Sequence, residues 1–198
     1  MPSALLFIAC SLFALLHAKP LLELGHTDWD LTEPRPGPVK AKLEGKHVMV
    51  AFYANGCEPC QRMKPYLEMI AESWSGHPAL EFSRIDVNPG TPRHKIKVLH
   101  KVTTMPRIEL FPCAECNTDV IHLRWGLSAE RTLAKWNGTN DISPPWNPGR
   151  TDCNLADLYG DNAEIALTTC VSNWLDRQVQ ELHNTCTCKG HVADSEEL

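Results

Sequence analysis

His47-Val48-Met49-Val50-Ala51-Phe52-Tyr53-Ala54-Asn55-Gly56-Cys57-Glu58-Pro59-Cys60 is the stretch on which the reading of the fold turns. Its first seven residues are almost continuously apolar and bounded by polar ones, which suits a short strand buried on both faces. From Glu58 onward the period changes. Met63, Leu67, Ile70 and Trp74 recur at three- and four-residue steps, predicting an amphipathic helix that stops near Gly76-His77-Pro78. The two cysteines therefore stand at a junction from strand to helix. A thiolate there meets unpaired backbone N–H groups and the positive end of the helix dipole, which lower its pKa. One thiolate can attack a disulfide, and the other can resolve the mixed disulfide that results. A structural disulfide and half of a zinc site are the competing readings, and the strand-to-helix setting favours the redox one.

Outward from this junction, Leu80–Val87 reads as a second strand broken by Pro89-Gly90. Arg93–Val102 reads as a helix with Ile96, Leu99 and Val102 on one side. Its basic residues Arg93, Lys95, Lys97 and Lys101 are expected to form a solvated face. Arg107–Phe111 and Val120–Trp125 are expected to be antiparallel strands of a hairpin, followed by a short helix over Ala129–Trp136. Residues 19–46, with Pro34, Pro36 and Pro38, form an extended lead-in or a short first helix. This order predicts an α/β domain with a mixed central sheet flanked by helices. The Pro-rich stretch Ser143–Gly149 reads as a linker. Beyond it, Asp161 and Glu164 resemble a capping box, and Leu167, Val171, Trp174, Leu175 and Leu182 continue a helical stripe. The expected organisation is a leader over residues 1–18, an α/β domain over 19–140, a linker over 141–150, a helical cysteine-containing extension over 151–190 and a tail over 191–198.

The strand-helix junction resembles the thioredoxin superfamily, in particular protein disulfide isomerase-like domains. The resemblance is carried by Val50-Ala51-Phe52-Tyr53-Ala54 leading into Cys57-Glu58-Pro59-Cys60, by Pro65 five residues after the second cysteine, and by Met105-Pro106-Arg107-Ile108-Glu109-Leu110-Phe111. It covers roughly residues 25–138 and implies a thioredoxin-like fold. It further implies that Cys57 attacks and Cys60 resolves, that Pro106 is cis, and that Pro106 with Met105 shapes a substrate groove. Glu58 and Pro59, between the cysteines, would tune the redox potential. Three departures matter. Ala51 stands where many relatives keep a buried acid that moves the resolving thiol's proton, and Gly56 replaces a Trp. Glu58 puts negative charge beside the Cys57 thiolate, so a lower reduction potential than that of a strongly oxidising relative is expected.

Nineteen Lys plus Arg against 24 Asp plus Glu exclude a strongly basic nucleic-acid binder. The apolar run Ala4–Leu16 is shorter than the about 20 residues that span a bilayer. Followed by Ala18-Lys19-Pro20, it reads as a signal peptide cut near Ala18, leaving a mature form with no membrane span. Ser195-Glu196-Glu197-Leu198 resembles a luminal retrieval signal, so the expected location is the endoplasmic reticulum lumen, with partial secretion. Asn137-Gly138-Thr139 is a glycosylation sequon. Expected partners are secretory proteins with disulfides or thiols, and a partner that recycles the redox pair. No dissociable cofactor and no metal are expected.

Nine cysteines are awkward for an oxidised chain, and Cys10 leaves with the leader. Cys113 and Cys116 fall in the turn of the expected hairpin. They read as a disulfide pinning it, in preference to a second redox pair relaying electrons to Cys57 and Cys60. Cys153, Cys170, Cys186 and Cys188 are then expected to pair among themselves, tying the extension to itself. Three functions remain in view: a thiol–disulfide oxidoreductase, a non-catalytic chaperone or client-binding module on the same fold, and a metal-binding protein.

Overall fold

The computed structural model describes residues 21–32, 36–116, 118–126, 152–186 and 188. The leader, the helix expected over Ala129–Trp136, the Asn137 sequon, the Pro-rich linker and the C-terminal tail lie outside the described residues. Three short strands, β1 (Leu22–Glu23), β2 (Trp29–Asp30) and β3 (Gly37–Pro38), precede a one-turn helix α1 (Val39–Leu43). Strand β4 (His47–Tyr53) and helix α2 (Glu58–Ser73) follow, as the periodicity predicts. Then come β5 (Leu80–Asp86), α3 (His94–Leu99), β6 (Arg107–Phe111), β7 (Ile121–His122) and β8 (Trp125–Gly126). The C-terminal segment contributes β9 (Cys153–Asn154), a 3₁₀ turn (Leu155–Tyr159) and the long helix α4 (Ala163–Thr185).

Five strands form one sheet in the order β1-β5-β4-β6-β7. The β1/β5 and β4/β5 pairs are parallel, while β4/β6 and β6/β7 are antiparallel, so the sheet is mixed as expected. Strand β4 lies at its centre and alternates its side chains between two cores. Met49 and Ala51 face one core with Met63, Leu67 and Ile70 of α2 and Leu167, Trp174 and Leu175 of α4. Val48, Val50 and Phe52 face the other, with Leu24, Trp29, Ala41 of α1 and Ile96 of α3. The C-terminal helix is thus part of the central hydrophobic core, and Trp174 is among its largest fully buried side chains.

Several local expectations are corrected. The strand expected over Val120–Trp125 is broken. The Arg124 N–H donates to Asp152 Oδ2 at 3.0 Å and its carbonyl accepts from Asp152 N–H at 2.9 Å. Trp125 and Gly126 consequently leave the main sheet and pair in parallel with β9. The helix expected over Arg93–Val102 ends at Leu99, because Lys101 turns left-handed (φ 49°) and Val102 N–H reaches back to the Lys97 carbonyl. Leu99 is in consequence 39% exposed rather than core-facing. Helix α4 starts after Asn162 without a side-chain cap. With Asn162 rather than Asp161 at the N-cap, Glu164 falls at the second helical position and the Asp161/Glu164 capping box does not form.

Candidate active site

Strand β4 ends at Tyr53, and the chain reverses in a tight turn in which Cys57 N–H donates to the Ala54 carbonyl at 3.1 Å. Gly56 occupies the third position of that turn with φ +81°, a conformation that costs an L side chain about 1–2 kcal/mol. Backbone geometry therefore accounts for the glycine at this position, the departure from the Trp of the resembling family. Cys57 is the N-cap of α2 in an extended conformation, and its Sγ accepts a hydrogen bond from Cys60 N–H at 3.3 Å. Pro59 sits in the first turn, where a missing N–H costs nothing. Cys57 and Cys60 are joined in a disulfide with Cα atoms 5.3 Å apart. Cys60 is buried at 7% exposure, whereas Cys57 is partly open to solvent. That asymmetry suits an attacking thiol at 57 and a sheltered one at 60.

The Met105–Pro106 peptide bond is cis. It lies immediately before β6, whose Arg107 is opposite Phe52 of β4. The opening of β6 is thereby held beside the end of β4 that leads into Cys57. Pro106 is buried and Met105 is half-buried against the second core.

Glu58 does not act on Cys57 alone. Its carboxylate takes a 3.0 Å bond from Arg62 Nε one helical turn on, so part of its charge is balanced locally. The Arg62 guanidinium in turn lies 4.9 Å over the ring of Tyr159, at the end of the 3₁₀ turn of the C-terminal segment. Burial and then the negative charge of Glu58 raise the Tyr159 hydroxyl pKa above its ordinary value, against the opposing pull of Arg62. The C-terminal segment thus flanks the first turn of α2, a neighbourhood that sequence spacing did not reveal.

Ala51 is buried on the α2 face and carries no acid. The fully buried acid of the sheet is Glu109, opposite Val50 in the β4/β6 register. Directly paired residues project to the same face, and Val50 faces the core away from α2. Glu109 therefore does not replace the missing acid near Cys60. It is held by Arg107, by His122 Nδ1 at 3.1 Å and by His100 Nδ1 at 3.4 Å. Burial would raise its pKa, but the close imidazoles of His100 and His122 and the charge of Arg107 prevail and bring it down to about 2. Tyr53, at the end of β4, is pushed up to about 12, first by burial and then by its 2.8 Å hydrogen bond to Glu23.

The other cysteines correct the expected pairing. Cys113 bonds to Cys188, Cys116 to Cys186 and Cys153 to Cys170. Only the last pair ties the C-terminal segment to itself. The other two clamp the end of α4 to the segment after β6, and the Cys113–Cys116 hairpin staple is absent. The reason lies in α4, whose 23 residues extend about 35 Å. The helix starts near the first turn of α2 and brings Cys186 and Cys188 to the opposite end of the sheet, where Cys113 and Cys116 follow β6. His47, buried at the start of β4, joins them: its Nδ1 accepts from Cys113 N–H at 3.1 Å and its Nε2 lies 3.2 Å from Cys188 Sγ. From His47 to Tyr53, β4 runs six residue steps, about 20 Å, so this cluster and the Cys57/Cys60 pair occupy opposite ends of the central strand. A direct electron relay between them is ruled out by that separation.

Residues 39–128 match the family model of thioredoxin. A thioredoxin of Rickettsia conorii is 29% identical over 89 residues, spanning 45% of this chain and 76% of that protein. Among solved structures, the J-Trx1 fragment of ERdj5 aligns with a TM-score of 0.44 and 13% identity, over 83% of this chain and 51% of the fragment. This chain therefore spans about half the length of that fragment. Thioredoxin f from spinach chloroplast aligns with a TM-score of 0.39 and 19% identity, over 53% and 80% of the respective chains. The match of residues 39–128, together with the mixed sheet and its flanking helices, assigns a thioredoxin-like fold.

Proposed function

We propose that this chain, whose residues 39–128 form a thioredoxin-type domain, is a thiol–disulfide oxidoreductase acting on proteins of the secretory pathway. The observation that carries the proposal is the Cys57/Cys60 pair at the N-terminus of α2, with one sulfur accessible and hydrogen-bonded by backbone and the other sheltered. In the reductive direction, the Cys57 thiolate attacks one sulfur of a substrate disulfide and expels the other as a thiolate, which takes up a proton. Cys60, deprotonated, then attacks Cys57 Sγ, releasing the second substrate thiol and closing the 57–60 disulfide. Substrate oxidation is the same sequence reversed. Both electrons stay on sulfur throughout, so no dissociable cofactor enters.

Pro106 and Met105 lie at the opening of β6 beside the redox turn and would form the groove for an extended substrate segment. The secretory assignment rests on the apolar run at Ala4–Leu16 and on the acidic C-terminal tetrapeptide. It is supported by the three disulfides outside the redox pair, which suit an oxidising compartment such as the endoplasmic reticulum lumen. No helix among the described residues is long and apolar enough to cross a membrane. Isomerase-like chemistry and a recycling partner belong to the same proposal. The lack of an acid at Ala51 favours a second reading, a client-binding module that holds rather than turns over its substrates. Reduction of insulin disulfides coupled to glutathione separates the two. The oxidoreductase shows turnover that is abolished by Cys57→Ser, whereas a binding module shows none in the native chain and binds clients equally well without Cys57.

A further inference from the structure

The two disulfides at the far end of the sheet bring together four sulfurs that are widely separated in sequence. Cys113 and Cys116 form a C-x-x-C pair and Cys186 and Cys188 a C-x-C pair. Besides the two covalent bonds, Cys113 Sγ is 3.4 Å from Cys116 Sγ, and Cys116 Sγ is 4.0 Å from Cys188 Sγ. Tetrahedral zinc with Zn–S bonds of about 2.3 Å requires S···S edges of about 3.8 Å. Both of these separations lie close to that value, so Cys113, Cys116 and Cys188 are already grouped, whereas Cys186 Sγ, bonded to Cys116, lies outside that group and must swing in once its S–S bond opens. Cys113, Cys116 and Cys188 are buried at 2% exposure or less, away from competing water.

The imidazole of His47 is part of the same group, its ligand atom lying within 4.8 Å of those of Cys113, Cys116 and Cys188. Its role follows from its tautomer. Nδ1 accepts the Cys113 N–H, so the neutral ring carries its proton on Nε2, which points at Cys188 Sγ 3.2 Å away. The ring offers that sulfur an N–H rather than a lone pair. His47 is thus placed to stabilise a coordinated thiolate from outside the metal shell.

We propose that, once both disulfides are reduced, Cys113, Cys116, Cys186 and Cys188 form a tetrathiolate site for zinc or a similar divalent cation, with His47 donating to Cys188. The exchange balances. Two equivalents of a dithiol reductant supply four electrons and four protons, breaking the 113–188 and 116–186 bonds and becoming disulfides themselves. The cation then binds the four sulfurs as their four protons leave. Two equivalents of a disulfide oxidant reverse the process and expel the metal. In either state the end of α4 stays clamped to the segment after β6, so the site exchanges one cross-link for another. This proposal is independent of the reaction at Cys57 and Cys60.

The test uses the full chain carrying Cys57→Ser and Cys60→Ser, which removes the redox pair as a competitor, and a parallel chain that also carries Cys153→Ala and Cys170→Ala, which removes the remaining reducible pair. Each chain is reduced with a phosphine, freed of reductant without oxygen, and titrated with zinc against a chromophoric chelator and separately with cobalt. The expected result is one equivalent of bound zinc, a tetrahedral cobalt spectrum with intense sulfur-to-metal charge transfer, and release of the metal on addition of oxidised glutathione. Far-UV circular dichroism follows folding in parallel. A reduced chain that loses helix should regain it on adding zinc. His47→Ala should keep the stoichiometry and weaken affinity roughly 10–100-fold. Cys186→Ser should lose about a quarter of the charge-transfer intensity; an unchanged spectrum would overturn the tetrathiolate. Failure of the reduced chain to bind zinc, or undiminished binding after Cys113→Ser and Cys188→Ser, would overturn the site altogether.

Discussion

Replacing Glu109 by Gln separates fold stability from redox chemistry in one variant. Glu109 is fully buried, and its pKa is lowered from 4.5 to about 2 by His100, His122 and Arg107 acting against burial. A carboxylate whose folded pKa is depressed stabilises the fold at pH above its unfolded value. That contribution is lost as pH falls from about 4.5 towards 2. A displacement of this size corresponds to roughly 3 kcal/mol, at about 1.4 kcal/mol per pKa unit. Urea melts of the native chain and Glu109→Gln at pH 7, 5, 4, 3 and 2.5 isolate the effect, because every other carboxylate is common to both proteins. The native chain should be more stable by roughly 3 kcal/mol at pH 7, and the gap should close steadily below pH 4.5. A gap that stays constant from pH 7 to 2.5 would refute the assignment of the charge to this network. The same variant tests the geometry of the site. Glu109 faces the core opposite α2, so the pH profile of thiol exchange should be unaltered wherever the variant is folded. A shifted profile would mean that Glu109 moves the proton of Cys60 after all.

Two further substitutions probe the redox turn. Gly56→Ala has open space around the added methyl group, so its cost is that of the positive φ alone, about 1–2 kcal/mol in a urea melt; a neutral or stabilising substitution would contradict the turn geometry. Glu58→His removes a negative charge beside Cys57 and leaves the Arg62 cation unpaired, so the reduction potential should rise. A glutathione redox titration giving an unchanged or lower potential would refute that argument.

The parts of this molecule legible in sequence are those whose signal is local. The seven apolar residues of β4 and the three- and four-residue spacing of Met63, Leu67 and Ile70 fix the strand-helix junction, and the redox pair with it. Gly56 was legible as a departure, but its cause is a backbone angle that composition does not encode. Pairing of the distant cysteines was not legible, because it depends on where a 23-residue helix ends in space. Spacing placed Cys113 beside Cys116 and kept the four C-terminal cysteines together, whereas packing of α4 on α2 delivers Cys186 and Cys188 to the opposite end of the sheet. His47 gave no signal either: at the edge of an apolar strand it looks like a boundary residue, and only the tertiary fold turns its ring towards Cys188. The same holds for Tyr159, brought over Arg62 from almost a hundred positions away. Glu109 shows the converse. It lies in a recognisable strand, yet its face follows only from the register with Val50.

On the proposed mechanism, Cys57 exchanges disulfides with client proteins and Cys60 completes the reaction. Cys60→Ala leaves the attacking thiol in place and removes the group that resolves the intermediate. Expressed in secretory cells and alkylated before lysis, this variant should accumulate mixed disulfides with defined clients. The adducts should map to Cys57 by mass spectrometry, be released by dithiothreitol, and vanish when Cys57→Ser is added. Recovery of the variant without covalent clients, or of adducts that persist in the absence of Cys57, would contradict the claim.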